Sequence, residues 1–219
     1  MRYNPNVHHR RSIRLRGYDY SKAGAYFVTI CTQNRECLFG DVLDNEMRLN
    51  DLGRIVADEW MKTAEIRNGI ELDEWVVMPN HFHGIVVIMD DSVGAHGRAP
   101  LPPANHRMLW RQPKSLGSLI AGYKSAVTKH VNELRRMPGA KLWQHNYWEH
   151  IVRNEPELNR IREYIQNNTI QWESDKLHPN QPEFYGRRGA RPCAPTGIRE
   201  PLTMYKQPDG SSNDEVWVV

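Results

Sequence analysis

Two apolar runs separated only by Pro79-Asn80 constrain this chain more than any other stretch. Ile70 to Met78 (IELDEWVVM) and His81 to Met89 (HFHGIVVIM) are rich in β-branched and aromatic residues, which suit a pleated, half-buried surface. Pro79-Asn80 is turn chemistry. The pattern predicts two strands close enough in sequence to pair as a hairpin.

The flanking segments supply the rest of a fold. Ala25 to Thr32 (AYFVTICT) reads as a strand preceded by Gly24. A helix is expected from Asp51 to Ile66, with Asn50 as its N-cap and Leu52, Ile55, Val56 and Trp60 on one face. A second helix is expected from Leu116 to Arg135. There Leu116, Leu119, Ile120, Tyr123, Val127, Val131 and Leu134 form a continuous stripe. Tyr147 to Arg153 reads as a strand. Glu155 to about Gln171 reads as a final helix, where Asn154 and Glu157 have capping-box spacing and Pro156 sits in the first turn. The order is β-α-β-β-α-β-α. Its first six elements match the ferredoxin-like βαββαβ plan, an α+β fold with an antiparallel sheet and helices on one face. Three regions fall outside this pattern: a basic arm (1–24), a Pro- and Gly-containing insertion (90–114) within the 25–172 domain, and a polar, Pro/Gly-rich tail (173–219). Val216 to Val219 could add a short strand to the tail.

Composition narrows the functional classes. Of 219 residues, 39% are hydrophobic, enough for one core. No stretch approaches the ~18 apolar residues of a membrane span, and no apolar h-region marks a secretory signal. Cys31, Cys37 and Cys193 form no Cys-x-x-Cys pair, so a reducing, cytoplasmic setting is expected. Net charge is only +3, but the arm concentrates Arg2, Arg10, Arg11, Arg14, Arg16 and Lys22 against the single acid Asp19. Such an arm suits a polyanion, because neutralised phosphates release counterions. It also suits a plain solubilising terminus.

His81 and His83 carry the first chemical signal. On a strand they share a face while Phe82 points the other way, so two imidazoles can share one divalent metal. Gly84 is expected to leave room for a backbone or ligand to approach. Two histidines there also read simply as polar residues on the open face of an antiparallel sheet, the commoner case for a bare His-x-His, and His-x-His alone leaves zinc hydrolases open. The second signal is Tyr164, with Asn168 one helical turn on. A phenol can attack a phosphodiester when the site stabilises the developing charge, and an amide oxygen suits magnesium or manganese. Tyr164 also adjoins the apolar stripe Leu158, Ile161 and Ile165. Tyr123 is a rival nucleophile, near Lys124 and Lys129, but it continues the stripe of its own helix.

Four blocks in order carry a resemblance: Arg11-Ser12-Ile13-Arg14-Leu15-Arg16-Gly17-Tyr18-Asp19-Tyr20, Tyr26 to Thr32, Trp75 to Gly84, and Trp148 to Asn154 leading into the Tyr164 helix. Over about residues 10–172 the chain resembles the REP-associated tyrosine transposases, of the IS200-like, single-tyrosine HUH superfamily. The resemblance implies that His81, His83 and Asn168 hold Mg2+ or Mn2+. It implies that Tyr164 attacks single-stranded DNA near a hairpin of the REP palindrome kind, leaving a 5′-phosphotyrosine link and a 3′-OH. In the insertion-sequence relatives the amide ligand is usually Gln, and here it is Asn168. Arg10, Arg11, Arg14, Arg16, Lys124 and Lys129 become candidate phosphate contacts, and Trp143, Tyr147 and Trp148 candidate base-stacking residues. Such an enzyme is expected in the cytoplasm, on the nucleoid when bound to DNA, as a monomer or a homodimer with exchanged tyrosine helices. A domesticated protein that binds palindromic repeats without cutting them is the alternative, followed by a metal hydrolase.

Overall fold

The structure, a computed structural model, describes residues 14–15, 17–89 and 114–180. Arg10, Arg11, Arg16, most of the expected insertion and the strand expected at Val216 to Val219 lie outside the described residues. The elements are β1 (Gly24–Cys31), a 3-10 turn (Gln33–Arg35), β2 (Gly40–Leu43), β3 (Glu46–Leu49) and α1 (Asp51–Glu65). They continue as β4 (Ile70–Met78), β5 (His81–Ile88), α2 (Leu116–Arg135), β6 (Trp148–Ile151), α3 (Glu155–Gln166) and a 3-10 turn (Trp172–Ser174).

Four strands form one sheet in the order β4-β5-β1-β6, with every neighbouring pair antiparallel. This is the expected ferredoxin-like arrangement, with β1 and β5 central and the hairpin closed by Pro79-Asn80. Period-2 alternation sorts the central strands into two faces. Tyr26, Val28 and Ile30 of β1 join Phe82 and Val86 of β5 against Trp60 of α1 and Ile120, Tyr123 and Val127 of α2. Phe27 and Ile85 point the other way and pack with Ile161, Tyr164 and Ile165 of α3. So α1 and α2 cover one face and α3 occupies the other.

The helices begin where their caps place them. Asn50 Oδ1 accepts from the backbone N–H of Leu52 and Gly53, each at 3.0 Å. Ser115 Oγ accepts from Ser118 N–H, and Asn154 Oδ1 from Glu157 N–H. The final helix stops earlier than expected, at Gln166, where Asn167, Asn168 and Thr169 are weak helix formers and Asn168 N–H closes a tighter turn on Ile165 O. Residues 33–50 had no expected element, yet β2 and β3 pair across Asp44 and Asn45, which both take positive φ (54° and 64°) as a type I′ turn requires. No helix among the described residues is long and apolar enough to cross a membrane.

Gly84 has a different task from the one expected. It sits on the Phe82 face of β5, opposite the histidines. A Cβ there would meet Trp60 Cζ2 at 2.7 Å and Phe82 Cε1 at 2.8 Å. The space belongs to the Trp60 indole, which is fully buried and packs on the Phe82 ring at 4.6 Å. Gly84→Ala should therefore destabilise the fold by about 1–3 kcal/mol through overpacking. Urea unfolding checks this, and a midpoint equal to that of the parent would contradict the assignment.

Candidate active site

The site is built on one lateral pair of strand residues. β1 and β5 register Thr29 opposite His83 and Cys31 opposite His81. Both imidazoles are fully buried on the α3 face, with ring centroids 4.6 Å apart. Each ring is held by its Nδ1. His83 Nδ1 lies 2.8 Å from Thr29 Oγ1, and His81 Nδ1 lies 2.8 Å from Asn80 Oδ1. Asn80 spends its own N–H groups on the carbonyls of Arg35 and Leu177, so its Oδ1 is the acceptor and His81 Nδ1 carries the proton. That tautomer turns the Nε2 lone pair of His81 inward. Fixing one ring nitrogen to present the other is how metal-binding histidines are oriented.

α3 brings Tyr164 to this face. Tyr164 Oη lies 3.3 Å from His83 Nε2, and the rings meet edge-to-face at 5.3 Å. Phe27 supports both, with centroids 5.4 Å from His83 and 6.1 Å from Tyr164. Asn168 lies in the turn just past α3, where its N–H bonds Ile165 O. Its side chain is buried beside His81. Asp175 arrives from the turn that follows Trp172, also buried. The ligand atoms of His81, His83 and Asp175 lie within 4.8 Å of one another.

A divalent metal fits this donor set. His81 Nε2 and Asn168 Oδ1 are both buried and have no aligned hydrogen-bond partner. Leaving such atoms unpaired costs about 1–3 kcal/mol each, so their convergence calls for a third party. Two imidazole nitrogens with an amide and a carboxylate oxygen make a mixed set that accommodates hard or borderline divalent ions. The imidazoles are kept neutral, as ligands must be. Burial holds His81 down to about 4, against the opposing pull of the Asp175 carboxylate and the Asn168 amide. Burial, then the adjacent His81, holds His83 well below the ordinary imidazole range.

Polar ties fix α3 on the sheet. Glu157 accepts from Arg153 N–H at 2.6 Å and pairs with His150 Nε2 at 3.0 Å, joining the helix start to β6. Between Leu72 and Trp75, β4 carries an extra residue, a β-bulge. Asp73 in that bulge takes Arg162 Nη2 at 2.6 Å and Nε at 3.0 Å, and its neighbour Glu74 takes Gln166 Nε2 at 3.0 Å. The Arg162 guanidinium holds the Asp73 carboxyl below its usual range.

The remaining candidates are placed elsewhere. Tyr123 is on the opposite face, where its hydroxyl donates to Val56 O and burial pushes its pKa well up. Lys124 Nζ donates to the carbonyls of Gln144 and His145, and Lys129 is a surface residue of α2 near Glu133. Arg14 pairs with Glu149 at 3.2 Å and donates to Tyr147 Oη at 2.7 Å. Trp143 packs on Phe39 in the core under α1 and α2.

Sequence reasoning missed Thr29, Asn80 and Asp175. Thr29 was discoverable once β1 and β5 were paired, since it falls on the histidine face. Asn80 was read as a turn residue only. Asp175 lies in a stretch read as tail, and its one cue was the apolar Trp172 and Leu177 on either side, both buried.

The molecule is thus a ferredoxin-like α+β protein with a buried His-x-His pair facing a helix-borne tyrosine. No family model matches the chain. It is similar to an uncharacterized protein of Haemophilus influenzae, 41% identical over 180 residues that span 81% of this chain and 97% of the relative. The chain belongs to the same family as that protein. Among solved structures it is similar to a REP-associated tyrosine transposase bound to a REP hairpin, at 18% identity and a TM-score of 0.49, over 85% of this chain and 99% of that one.

The depressed imidazoles make the metal-free protein acid-sensitive. Unfolded histidines titrate near 6.5, so above that pH neither state differs in protonation. As pH falls below about 6.5, the unfolded chain takes up protons that buried His81 refuses until about 4. Stability from this source is complete above the unfolded value and declines through that window. Urea midpoints from pH 7.5 to 4.5 in chelator should fall, and fall less steeply in His81→Asn. Parallel slopes would contradict the burial argument.

Proposed function

We propose that the protein is a transposase-like enzyme that binds single-stranded hairpin DNA and cleaves and rejoins it through Tyr164. The observation that carries this reading is the Tyr164 hydroxyl at 3.3 Å from His83 Nε2, on the face where His81 Nε2 and Asn168 Oδ1 lie unpaired. A core tyrosine alone would not need two neutral, pre-oriented imidazoles beside its hydroxyl. The order of the four sequence blocks, two of which lie apart from these residues, adds support.

His81, His83, Asn168 and Asp175 would hold the metal, Mg2+ or Mn2+. Bound there, a divalent ion supplies Lewis-acid stabilisation of charge on a phosphate oxygen. The chain does the rest. Asn80 and Thr29 fix the two rings, and Phe27 and Ile85 seat the tyrosine. Tyr164 Oη attacks phosphorus and loses its proton. The P–O3′ bond breaks, the departing 3′ oxygen takes up a proton, and a 5′-phosphotyrosine link remains. Attack on that link by another 3′-OH rejoins DNA and restores the phenol, so no nucleotide cofactor is required. Arg10, Arg11, Arg14 and Arg16 of the arm, with Lys124 and Lys129 of α2, are the proposed phosphate contacts. Of these, Lys129 is well exposed (70% of its side chain) and Arg14 half so (47%).

The test uses labelled hairpin oligonucleotides of palindromes around the gene, with Mn2+, on denaturing gels. A covalent protein–DNA adduct should form, vanish in Tyr164→Phe and persist in Tyr123→Phe. Persistence in Tyr164→Phe would remove the nucleophile assignment. Cutting without an adduct would favour a hydrolase, and binding without cutting a DNA-binding protein. The bulge contact gives a second expectation. Asp73→Ala should slow single-turnover adduct formation roughly 10- to 100-fold by misplacing α3, and should weaken Mn2+ binding measured by electron paramagnetic resonance as well, since Asn168 and Asp175 follow α3 in the chain; an unchanged rate would contradict a positioning role for Asp73.

A further inference from the structure

We propose that Trp148 is a stacking platform for one unpaired nucleobase next to the phosphate attacked by Tyr164, a role that rests on the DNA-cutting reading above. The sheet register points to it. Thr29 pairs with His83 on one side and with Trp148 on the other, so His83, Thr29 and Trp148 form one lateral row on the α3 face. Two strand spacings separate the ends of that row, about 10 Å between backbones. That is the scale on which a base follows its own phosphate. β6 is an edge strand of the four-stranded sheet, and Trp148 is its first residue, partly exposed.

The indole plane is set in advance. It lies parallel to the His150 ring, 5.8 Å between centroids and 5° between planes, and meets Phe27 edge-on at 5.6 Å. His150 cannot turn away, because Glu157 holds its Nε2 and Glu157 is itself tied to the start of α3. The same carboxylate therefore fixes both the tyrosine helix and the platform. Stacking on a pre-oriented indole is tolerant of base identity. The other two aromatic candidates are excluded by place. Trp143 is buried against Phe39, and Tyr147 packs in the α1 and α2 core with its hydroxyl bonded to Arg14.

The experiment measures hairpin affinity in the full-length Tyr164→Phe protein, where no cutting intervenes. The probes are single-stranded palindromic hairpins from around the gene, intact or with one abasic nucleotide at each position flanking the cut site. One abasic position should weaken binding about tenfold or more. Trp148→Leu, which keeps apolar bulk but cannot stack, should weaken the intact probe by a similar factor and gain no further loss on the abasic one. Trp148→Phe should keep most of the affinity. 2-Aminopurine at the same position should be quenched in the complex and brighten in Trp148→Leu. Equal behaviour of the Leu and Phe variants, or losses that multiply with the abasic probe, would show that Trp148 only packs under α3 and would overturn the proposal. If the protein with Trp148 intact binds no hairpin and forms no adduct, the DNA-cutting reading itself falls. If adducts form and Trp148→Leu binds normally, only this role falls.

Discussion

The antiparallel register of β1 with β5 is the constraint on which the rest depends. Eight consecutive pairs run from Gly24–Ile88 to Cys31–His81 without a break. Because side chains alternate, this one register sends Phe82 and Val86 into the helical core and His81 and His83 to the other face. A slip of one residue would reverse both sets, putting two imidazoles against Trp60. The apolar core thus enforces the position of the polar site. The site returns little of that stability. Both nitrogens of His83 are engaged, by Thr29 and Tyr164, but His81 Nε2 has no aligned hydrogen-bond partner in a fully buried place. A candidate site that is locally unfavourable and held by a favourable surrounding fold is the compromise expected of such places.

α3 is attached on different terms. Its apolar cluster is small, with Ile161, Tyr164 and Ile165 meeting Phe27 and Ile85. Position therefore falls to polar contacts, the Asn154 cap, Glu157 with His150, and Arg162 with Asp73. Partly exposed ion pairs contribute about 1 kcal/mol or less each. They add little to stability but much to geometry, because the Arg162–Asp73 contact is a planar fork with preferred directions. The β4 bulge makes this possible. It breaks alternation at Asp73 and Glu74 just where the strand passes under α3, aiming two carboxylates at residues 162 and 166. One helix is thus fixed at its start to β6 and near its end to β4, with the tyrosine between.

How much of this was legible depends on the range of the cause. Strands β1, β4 and β5 and helices α1 and α2 declare themselves through local periodicity, and Asn50 and Asn154 through capping chemistry. The shared face of His81 and His83 needs only the period of a strand. What was not legible depends on pairing. Thr29 becomes a ring-holder only when β1 lies beside β5. Gly84 was expected to make room for a backbone or ligand, because spacing says nothing about the Trp60 indole reaching it from another helix. The β2–β3 hairpin has four-residue strands with weak alternation, so its one clear cue was Asp44-Asn45. The end of α3 was misplaced because apolar residues continue to Ile170 while the backbone turns at Asn167.

Asp175 shows why the last of these matters. A helix running on to Gln171 would carry residues 172–178 along its axis. Ending it at Gln166 lets the chain turn, seat Trp172 at 5.9 Å from His81, and bring a carboxylate to the histidine pair. Leu177 then closes against Cys31, and its carbonyl accepts from Asn80, the residue that orients His81. The charge of the site changes with it. Two neutral imidazoles and an amide would leave a bound divalent ion with its full charge of two. A carboxylate beside them would reduce that to one, in a region of low dielectric where the difference is large. The short helix is therefore a condition for the electrostatics, because the turn after Asn167 is what brings Asp175, among the described residues, to the buried pair.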